Sequence, residues 1–384
     1  MRIINLVKKA KKFQNFYYEK DILDKITSFR PGEWVQVKSD KTIGIGFINP
    51  VVMSGPPLRV CSWKNDTENI EEFIKRRISE AIDYRNSYKH LKKGSRLVYG
   101  DADNLPGLIV DAYQNVVLVQ INTAGLDGHR EFIKEYLKTT LGREVILLDN
   151  EKYRASEVLP KYEIEQLPSD IIIEENDIHF HVSSDVVQKI GYYYDHRINR
   201  QKLNNWLANS SIEFENGVDL FSYVGSWGLN SLKAGVRKMT FIDQGNFQEA
   251  INKNLQINDF EGRGEFIRAD VFDWIQKATP RSYDLVISDP PAFKKSSKNR
   301  SSAMIGYDKL HRNALKLVKD NGYFVSASCT QDVSLEDLDK SVQSANLENR
   351  NLRLLDCGIQ GPDHPMDSFQ SKAFYIKFLL YHIS

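Results

Sequence analysis

Two short segments carry side chains that could react, each placed directly after an apolar run. "SDPPAF" contains Asp289, and "YFVSASCT" contains Cys329. A lone cysteine at a strand end is most often a small buried hydrophobe. If both residues share a crevice with a methyl donor, the thiolate could add to carbon 6 of a pyrimidine and make carbon 5 nucleophilic, while Asp289 hydrogen-bonds or protonates nitrogen 3. Cys329 is therefore either core filler or a nucleophile.

Three more acids, Asp219, Asp243 and Asp270, end apolar runs in the same part of the chain. Each could be the N-cap of the helix that follows, but several acids in register favour a ligand pocket. Asp243 lies about 20 residues beyond a glycine turn, where a carboxylate can accept both hydroxyls of a ribose. That turn, "SYVGSWG", contributes Tyr223 and Gly225 to the expected pocket, and it lacks the GK[ST] sequence or basic residue that a phosphate would need. The pattern predicts an adenosine without phosphates, and S-adenosylmethionine (SAM) is the expected cofactor.

Alternating strand and helix patterns after about Gly191 position these acids. Apolar strands such as "YDLVIS" precede amphipathic helices such as "GYDKLHRNALKLVK", which predicts an α/β fold with a doubly wound, mostly parallel sheet. The carboxyl ends of parallel strands meet at one edge, so Asp289 and Cys329, on adjacent predicted strands, should open into one crevice. The last two apolar pieces, "LRLLDCG" and "AFYIKFLLYHI", lack a long intervening helix and could pair antiparallel at one side of the sheet.

Two further segments precede this sheet and bring the number of predicted domains to three. Short strands separated by Gly, Pro and Asn predict a small β-barrel over residues 1–68, an architecture that usually serves as a binding module. Strand patterns with one helix predict a central α+β domain over residues 69–184. The doubly wound domain then occupies residues 185–384. A chain of this length is too long for one compact core.

Composition narrows the class of protein without identifying a partner. The chain is 41% hydrophobic and has a net charge of +1, so neither disorder nor a polyanionic partner follows from it. Cys61, Cys329 and Cys357 are widely spaced and form no CxxC motif, which argues against a disulfide framework and against a metal site. No apolar run reaches the roughly 18 residues of a membrane span, and the start of the chain lacks a signal peptide's apolar core, so the cytoplasm is the expected compartment.

The segment "QKIGYYYDHRINR" combines basic and aromatic side chains just before the predicted sheet. Lys189, Arg197 and Arg200 could hold an RNA backbone while a tyrosine stacks a base, because cations beside aromatic faces suit single-stranded nucleic acid. The alternative is a helix that covers the cofactor pocket. Both interpretations stay open, and a base within folded RNA must in any case be unstacked before Cys329 can reach it.

Several motifs, in the same order along most of the chain, resemble the bacterial large-subunit ribosomal RNA cytosine-5 methyltransferases that carry an N-terminal PUA domain. They are "GIGFINP", "RLVYGDADNLPGLIVDAY", "QKIGYYYDHRINR", "DLFSYVGSWG", "DPPAF", "SCT" and "DHP". The resemblance implies a PUA RNA-binding module, a central α/β domain and a Rossmann-like domain that uses SAM on 23S rRNA, with a homodimer as one possible assembly. It implies Cys329 as the nucleophile and Asp289 as the residue that positions the target base. The cofactor residues that it implies are Asp219, Gly225, Asp243 and Asp270.

Two departures from the family's pattern bear on the mechanism. Pro291 and Ala292 stand where other RNA cytosine-5 methyltransferases have a second cysteine, so a scheme with one cysteine is required. "YDHR" stands where the family tends to have Asp-Gln-Arg, and we interpret His196 as a local substitution without a mechanistic role. Two other functions stay open: a methyltransferase acting on a purine nitrogen, in which Cys329 would be inert, and a non-catalytic RNA-binding assembly factor.

Overall fold

The structure is a computed structural model of the chain, and it describes residues 1–8, 14–64, 69–163, 165–184, 186, 191–293, 300–366 and 374–384. The chain forms two compact units. The first contains residues 1–171 with the described part of 362–371, and the second contains residues 172–361 with the described part of 372–384. The first unit therefore includes nearly all of both amino-terminal domains that the sequence predicts, and it ends before the predicted boundary at residue 184.

The first unit begins with a five-stranded mixed sheet in the order β1-β3-β4-β5-β2. Its strands are β1 (Arg2–Asn5), β2 (Phe16–Tyr17), β3 (Glu33–Ser39), β4 (Thr42–Ile48) and β5 (Leu58–Ser62). β1 runs parallel to β3, and the other neighbours pair antiparallel. Within the described residues, β1 and β2 are the two edges of this sheet, so the predicted barrel is not confirmed.

A second sheet of the first unit has the order β6-β7-β8-β9. Its strands are β6 (Ser95–Tyr99), β7 (Leu108–Ala112), β8 (Val116–Ile121) and β9 (Glu144–Leu147), and the helices are α1 (Ile70–Asn86), α2 (Ala124–Asp127), α3 (Arg130–Leu141) and α4 (Glu151–Ser156). The two sheets share a hydrophobic core, in which Trp34 and Phe47 from the first sheet pack with Phe73 of α1 and Val119 of β8. The indole N–H of Trp34 also donates to the carbonyl oxygen of Gly125, at 2.8 Å.

The second unit is built on a seven-stranded sheet in the order β14-β13-β12-β15-β16-β18-β17. Its strands are β12 (Asn216–Leu220), β13 (Lys238–Asp243), β14 (Gly264–Arg268), β15 (Tyr283–Ser288), β16 (Val318–Ser328), β17 (Leu352–Gly358) and β18 (Lys377–Ile383). The first five strands in this order are parallel, while β18 lies antiparallel between β16 and β17. The α/β class and the antiparallel pairing at one side are therefore confirmed.

Helices precede and connect the strands of this sheet. They are α5 (Arg197–Ala208), α6 (Ser226–Lys233), α7 (Gln248–Gln256), α8 (Val271–Lys277), α9 (Arg300–Leu317) and α10 (Leu335–Ala345). Central strands are apolar along their length because helices cover both faces of a parallel sheet. Leu285, Val286 and Ile287 of β15, for example, are fully buried. Among the described residues, no helix combines the length and the apolarity needed to cross a membrane.

A hairpin of β10 (Asp170–Glu175) and β11 (Ile178–Ser183) joins the second unit near its start. Its turn residues, Asn176 and Asp177, have φ values of 52° and 55°. Two residues at positive φ form the tight turn whose twist matches paired antiparallel strands, and Asn and Asp tolerate this conformation well. The N–H of His181 donates to the side-chain oxygen of Asn254 on α7, at 2.8 Å, and so anchors β11 against the helix.

Candidate active site

The register of the parallel strands brings the predicted site residues to one edge of the sheet. Leu220 of β12 lies beside Ile242 of β13 and beside Ser288 of β15, and Ser288 lies beside Ser326 of β16. The chain continues from these positions into the glycine turn, Asp243, Asp289 and Cys329. Ligands bind at this edge in open parallel sheets because the connecting loops leave a crevice there.

The turn after β12 has an unusual backbone that holds it close to the sheet. Phe221, Tyr223 and Gly225 have φ values of 63°, 51° and 86°. A Cβ on Gly225 would lie 2.6 Å from Cδ1 of Leu229, and a Cβ on Gly228 would lie 2.2 Å from Cε1 of Phe241. Both glycines are therefore required by close packing, and left-handed conformations in a ligand-binding turn are typical of strained functional sites.

Asp219 lies beneath this turn and is completely buried. One of its carboxylate oxygens, Oδ2, accepts a hydrogen bond from the N–H of Gly228 at 2.9 Å, while Oδ1 has no hydrogen-bond partner among the described residues. Burial raises the pKa of Asp219 to about 8, and the N–H of Gly228 opposes this rise. A cationic ligand at the turn would favour the ionised carboxylate, as a sulfonium or an ammonium group does.

Asp243 and Tyr223 form the adjoining part of the candidate cofactor pocket. The two carboxylate oxygens of Asp243 accept hydrogen bonds from the N–H groups of Tyr223 and Gly245, at 3.0 Å and 2.8 Å. These bonds fix the direction of the carboxylate, and each oxygen keeps a second lone pair for a ribose hydroxyl. The Tyr223 ring packs edge-on against Phe247, with centroids 5.0 Å apart. This set of hydrogen-bond acceptors and aromatic rings fits an adenosine without phosphates.

Asp270 is the N-cap of a helix, which is one of the two roles that the sequence left open for it. Its Oδ1 accepts a hydrogen bond from the N–H of Asp273 at 3.1 Å and so caps α8. The residue is exposed. A capping carboxylate still has a second oxygen available to a ligand, so its predicted cofactor contact stays a prediction.

Asp289 is held by one side chain that the sequence analysis did not assign to the site, and a second such side chain lies near it. Its Oδ2 accepts a hydrogen bond from the indole N–H of Trp227 at 2.8 Å, and its Oδ1 lies 3.8 Å from Nε2 of His196. His196 is buried, and its ring packs against Trp227 with centroids 5.3 Å apart. His196 therefore lies beside Asp289, and the interpretation that it has no mechanistic role stays a prediction. The available signal was Trp227 itself, a large aromatic residue among the small residues of "VGSWG".

Cys329 follows β16 directly and is partly exposed at this edge. Burial, and then the charges of Asp289 and Asp195, raise the pKa of its thiol to about 12, while Lys377 and the N–H of Ala292 oppose the rise. The residues on either side are fixed, because the hydroxyl of Tyr307 lies 2.7 Å from Oγ of Ser328 and 3.0 Å from Oγ1 of Thr330. Because β15 and β16 pair in register, Asp289 and Cys329 follow neighbouring strand ends, and the charge of Asp289 acts on the thiol. Their opening into one crevice stays a prediction.

Arg197 and Arg200 do not lie where an RNA backbone could reach them, which corrects their predicted role. Each is only 1% exposed. The guanidinium of Arg200 donates to Oε2 of Glu175 at 2.6 Å, and Nε of Arg197 lies 3.7 Å from the same oxygen. This buried ion pair attaches α5 to β10, and the alternative of a helix that covers the pocket stays a prediction. Lys189 lies outside the described residues.

Among the three consecutive tyrosines of the segment, only Tyr193 presents a large exposed surface. It is 48% exposed, whereas Tyr192 and Tyr194 are buried. Its ring packs edge-on against Tyr223, with centroids 5.6 Å apart. Burial, and then the charges of Asp195, Cys329 and Asp289, raise the pKa of its hydroxyl. Tyr193 is therefore the one of these three tyrosines that solvent reaches, and base stacking by it stays a prediction.

The strand order, with one antiparallel strand inserted beside the last, is that of the Rossmann-like class of methyltransferase fold. A family model described as conserved hypothetical protein 95 matches residues 196–333. This range begins at His196 and includes Asp219, Asp289 and Cys329.

Solved structures agree with this class. A protein from Streptococcus mutans that is proposed to be a SAM-dependent methyltransferase superposes with a TM-score of 0.76 at 18% identity, covering 100% of both chains. A second proposed methyltransferase, in complex with SAH, gives a TM-score of 0.76 at 19% identity and covers 99% of both chains. At these identities the agreement concerns the fold.

Curated relatives carry a more specific name. Ribosomal RNA large subunit methyltransferase I of Pseudoalteromonas atlantica is 28% identical over 362 residues, covering 91% of this chain and 90% of the relative. The protein of the same name from Photobacterium profundum is 27% identical over 376 residues and covers 92% of each. The resemblance inferred from the motifs is thereby confirmed. Over almost its whole length, the chain is similar to proteins named ribosomal RNA large subunit methyltransferase I.

Proposed function

We propose that this protein transfers a methyl group from SAM to carbon 5 of a cytosine in large-subunit ribosomal RNA, through a covalent adduct with Cys329. The observation that carries the proposal is the position of Cys329 beside Asp289, at the edge of the sheet where the glycine turn and Asp243 also lie. The names of the relatives support ribosomal RNA as the substrate. The fold supports SAM as the cofactor.

The residues proposed to hold SAM are Asp219, Tyr223, Gly225, Asp243 and Asp270, with Asp289 at the boundary between the cofactor and the target base. Asp243 would accept the ribose hydroxyls, since its carboxylate is fixed by two backbone N–H groups. Asp219 would favour a cationic ligand at the turn. When bound, SAM supplies an electrophilic methyl group on its sulfonium.

The chemistry asked of the protein is then a nucleophilic addition and its reversal. The thiolate of Cys329 attacks carbon 6, and Asp289 hydrogen-bonds or protonates nitrogen 3 so that negative charge does not build up on the ring. After methylation, a base removes the proton from carbon 5 and the thiolate is expelled. Trp227 and His196 would orient Asp289 for this role.

A scheme with one cysteine agrees with the positions of the other two. Cys61 is buried in the core of the first unit, and Cys357 lies on the edge strand β17. Pro291 and Ala292 occupy the turn in which a second cysteine would stand. The function of the second cysteine in product release must therefore be served by another group.

The test uses SAM labelled in its methyl group and ribosomal RNA from cells that lack this protein. Wild type, Cys329→Ala and the matched control Cys357→Ala are compared, and the product nucleosides are separated. We expect label in 5-methylcytidine with wild type and with Cys357→Ala, and none with Cys329→Ala. RNA containing 5-fluorocytidine should trap a covalent complex with the wild-type protein but not with Cys329→Ala. Label in a purine, with Cys329→Ala fully active, would instead favour methylation of a ring or exocyclic nitrogen.

A further inference from the structure

Lys377 is a charged side chain in the interior of the second unit, with 1% of its surface exposed. It begins β18, and its Cα pairs with that of Ser328 on β16. Its ammonium group donates to the carbonyl oxygen of Thr330 and, at 3.0 Å, to that of Tyr375. The backbone of Lys377 thus pairs with Ser328, the residue before Cys329, and its side chain binds Thr330, the residue after Cys329.

Burial of the Lys377 charge is unfavourable in free energy unless another charge nearby compensates for it. An ammonium group removed from water loses solvation, and two carbonyl oxygens replace it only in part. Within the described parts of the chain, no carboxylate forms an ion pair with Lys377. Burial lowers the pKa of Lys377 to about 8, and the charges of Cys329 and Asp337 oppose this change. Because this value lies above 7, most of the side chain remains protonated at neutral pH.

The other charges that face Cys329 are unfavourable to a thiolate. Asp289 and Asp195 each raise the pKa of the thiol, and the phenols of Tyr193 and Tyr307 also lie within its electrostatic reach. Within the part of the chain that the structure describes, Lys377 is the cation that lowers the pKa of this thiol, together with the N–H of Ala292. A thiolate between two carboxylates would form rarely without such a counter-ion.

We propose that Lys377 is a positioning residue, whose buried ammonium group serves as the counter-ion of the Cys329 thiolate. This inference rests on the proposed function, because only a nucleophilic cysteine needs to ionise. The S–H bond breaks with its electron pair left on sulfur, the proton passes to solvent, and Lys377 stays protonated throughout.

The test measures the ionisation of Cys329 without RNA or methyl transfer. Iodoacetamide alkylates thiolates, and peptide mass spectrometry follows each cysteine separately in the full-length protein over a range of pH. For Lys377→Met we expect the alkylation rate of Cys329 near neutral pH, where Lys377 is charged, to fall about tenfold, which corresponds to about one pH unit in thiolate stability. An unchanged Cys329 profile in a folded Lys377→Met protein would overturn the proposal.

Lys202→Met is the matched control. The ammonium group of Lys202 donates to the carbonyl oxygen of Cys357 at 2.6 Å. Lys202 therefore lies beside a cysteine through a backbone carbonyl, much as Lys377 lies beside Cys329 through the carbonyl oxygen of Thr330. This variant should leave the Cys329 profile unchanged. A shift of equal size in both variants would also overturn the proposal, because it would reflect a general loss of positive charge.

A reciprocal measurement covers the case in which Lys377→Met does not fold. Linkage requires that if Lys377 stabilises the thiolate, the thiolate stabilises the ammonium group equally. The pKa of Lys377, followed by NMR of labelled lysine side chains, should therefore be higher in Cys329→Asp, which places a carboxylate at this position, than in the matched neutral variant Cys329→Asn. An equal pKa in both proteins would refute the coupling. None of these measurements uses RNA, so the two proposals can fail separately. If 5-methylcytidine forms but Lys377 and Cys329 are not coupled, only this inference is refuted. If Lys377 and Cys329 are coupled but no 5-methylcytidine forms, only the proposed function is refuted.

Discussion

At the scale of single residues, the hydrogen bond between Trp227 and Asp289 is central to the candidate site. Asp289 lies close to Cys329, and a carboxylate that must address nitrogen 3 of a base needs a fixed direction. The indole N–H supplies that direction at 2.8 Å, and stacking on Phe378, with centroids 5.8 Å apart and planes 11° apart, holds the indole. Hydrogen bonds to charged groups contribute about 1.5–3 kcal/mol.

Trp227→Phe should therefore lower kcat about 10- to 100-fold, because the ring still packs but the donor is lost. SAM affinity should change by less than about threefold, since the indole is not proposed to bind the cofactor. Steady-state methylation and calorimetric SAM titration measure the two effects. Trp206→Phe is the matched control, because that indole N–H also donates to an aspartate, Asp356 at 3.2 Å, away from the candidate site. Equal losses in both variants would contradict a specific role for Trp227.

At the scale of elements, the buried ion pair of Arg200 and Glu175 explains why local sequence misleads about "YYYDHRINR". Three tyrosines and two arginines in one segment suggest a surface for RNA. The partner of Arg200 is a glutamate 25 residues earlier, at the end of β10, and no local pattern indicates that pairing. Asp289 and Cys329 were predictable for the opposite reason, since strand and helix alternation fixes which strand ends meet. The insertion of β18 between β16 and β17 again depends on distant pairing.

Glu175→Gln should lower the free energy of unfolding of the second unit by about 3 kcal/mol, because it leaves a buried guanidinium charge without its counter-ion. Asp177→Asn is a control on the same hairpin, where the carboxylate lies 3.3 Å from Lys233 and is 83% exposed. Exposed pairs contribute little, so this change should cost less than about 1 kcal/mol. Denaturant unfolding followed by tryptophan fluorescence compares them. Equally small losses would mean that the interior pair is not what attaches α5 to the hairpin.

At the scale of the whole molecule, the two sheets of the first unit do not behave as two separate domains. Composition and strand punctuation separate residues 1–68 from 69–184, and the two sheets are indeed distinct. Their apolar faces nevertheless meet in one core that includes Trp34, Ile45 and Phe47 of the first sheet. A sequence pattern identifies which residues face a core, but it does not say whether two sheets share that core.

Residues 1–68 expressed alone should consequently fail to fold. Separation would expose Trp34, Ile45 and Phe47, and burial of each such side chain contributes about 1.5–3 kcal/mol. Their sum is comparable with the total stability of a small domain, about 5–15 kcal/mol. The remaining core of this sheet, which includes Val35, Val37 and Val60, has fewer described buried residues than the core that the two sheets share. Amide NMR spectra of the fragment should therefore show the narrow dispersion of an unfolded chain, and resonances that match those of the full-length protein would instead establish an independently folding amino-terminal domain.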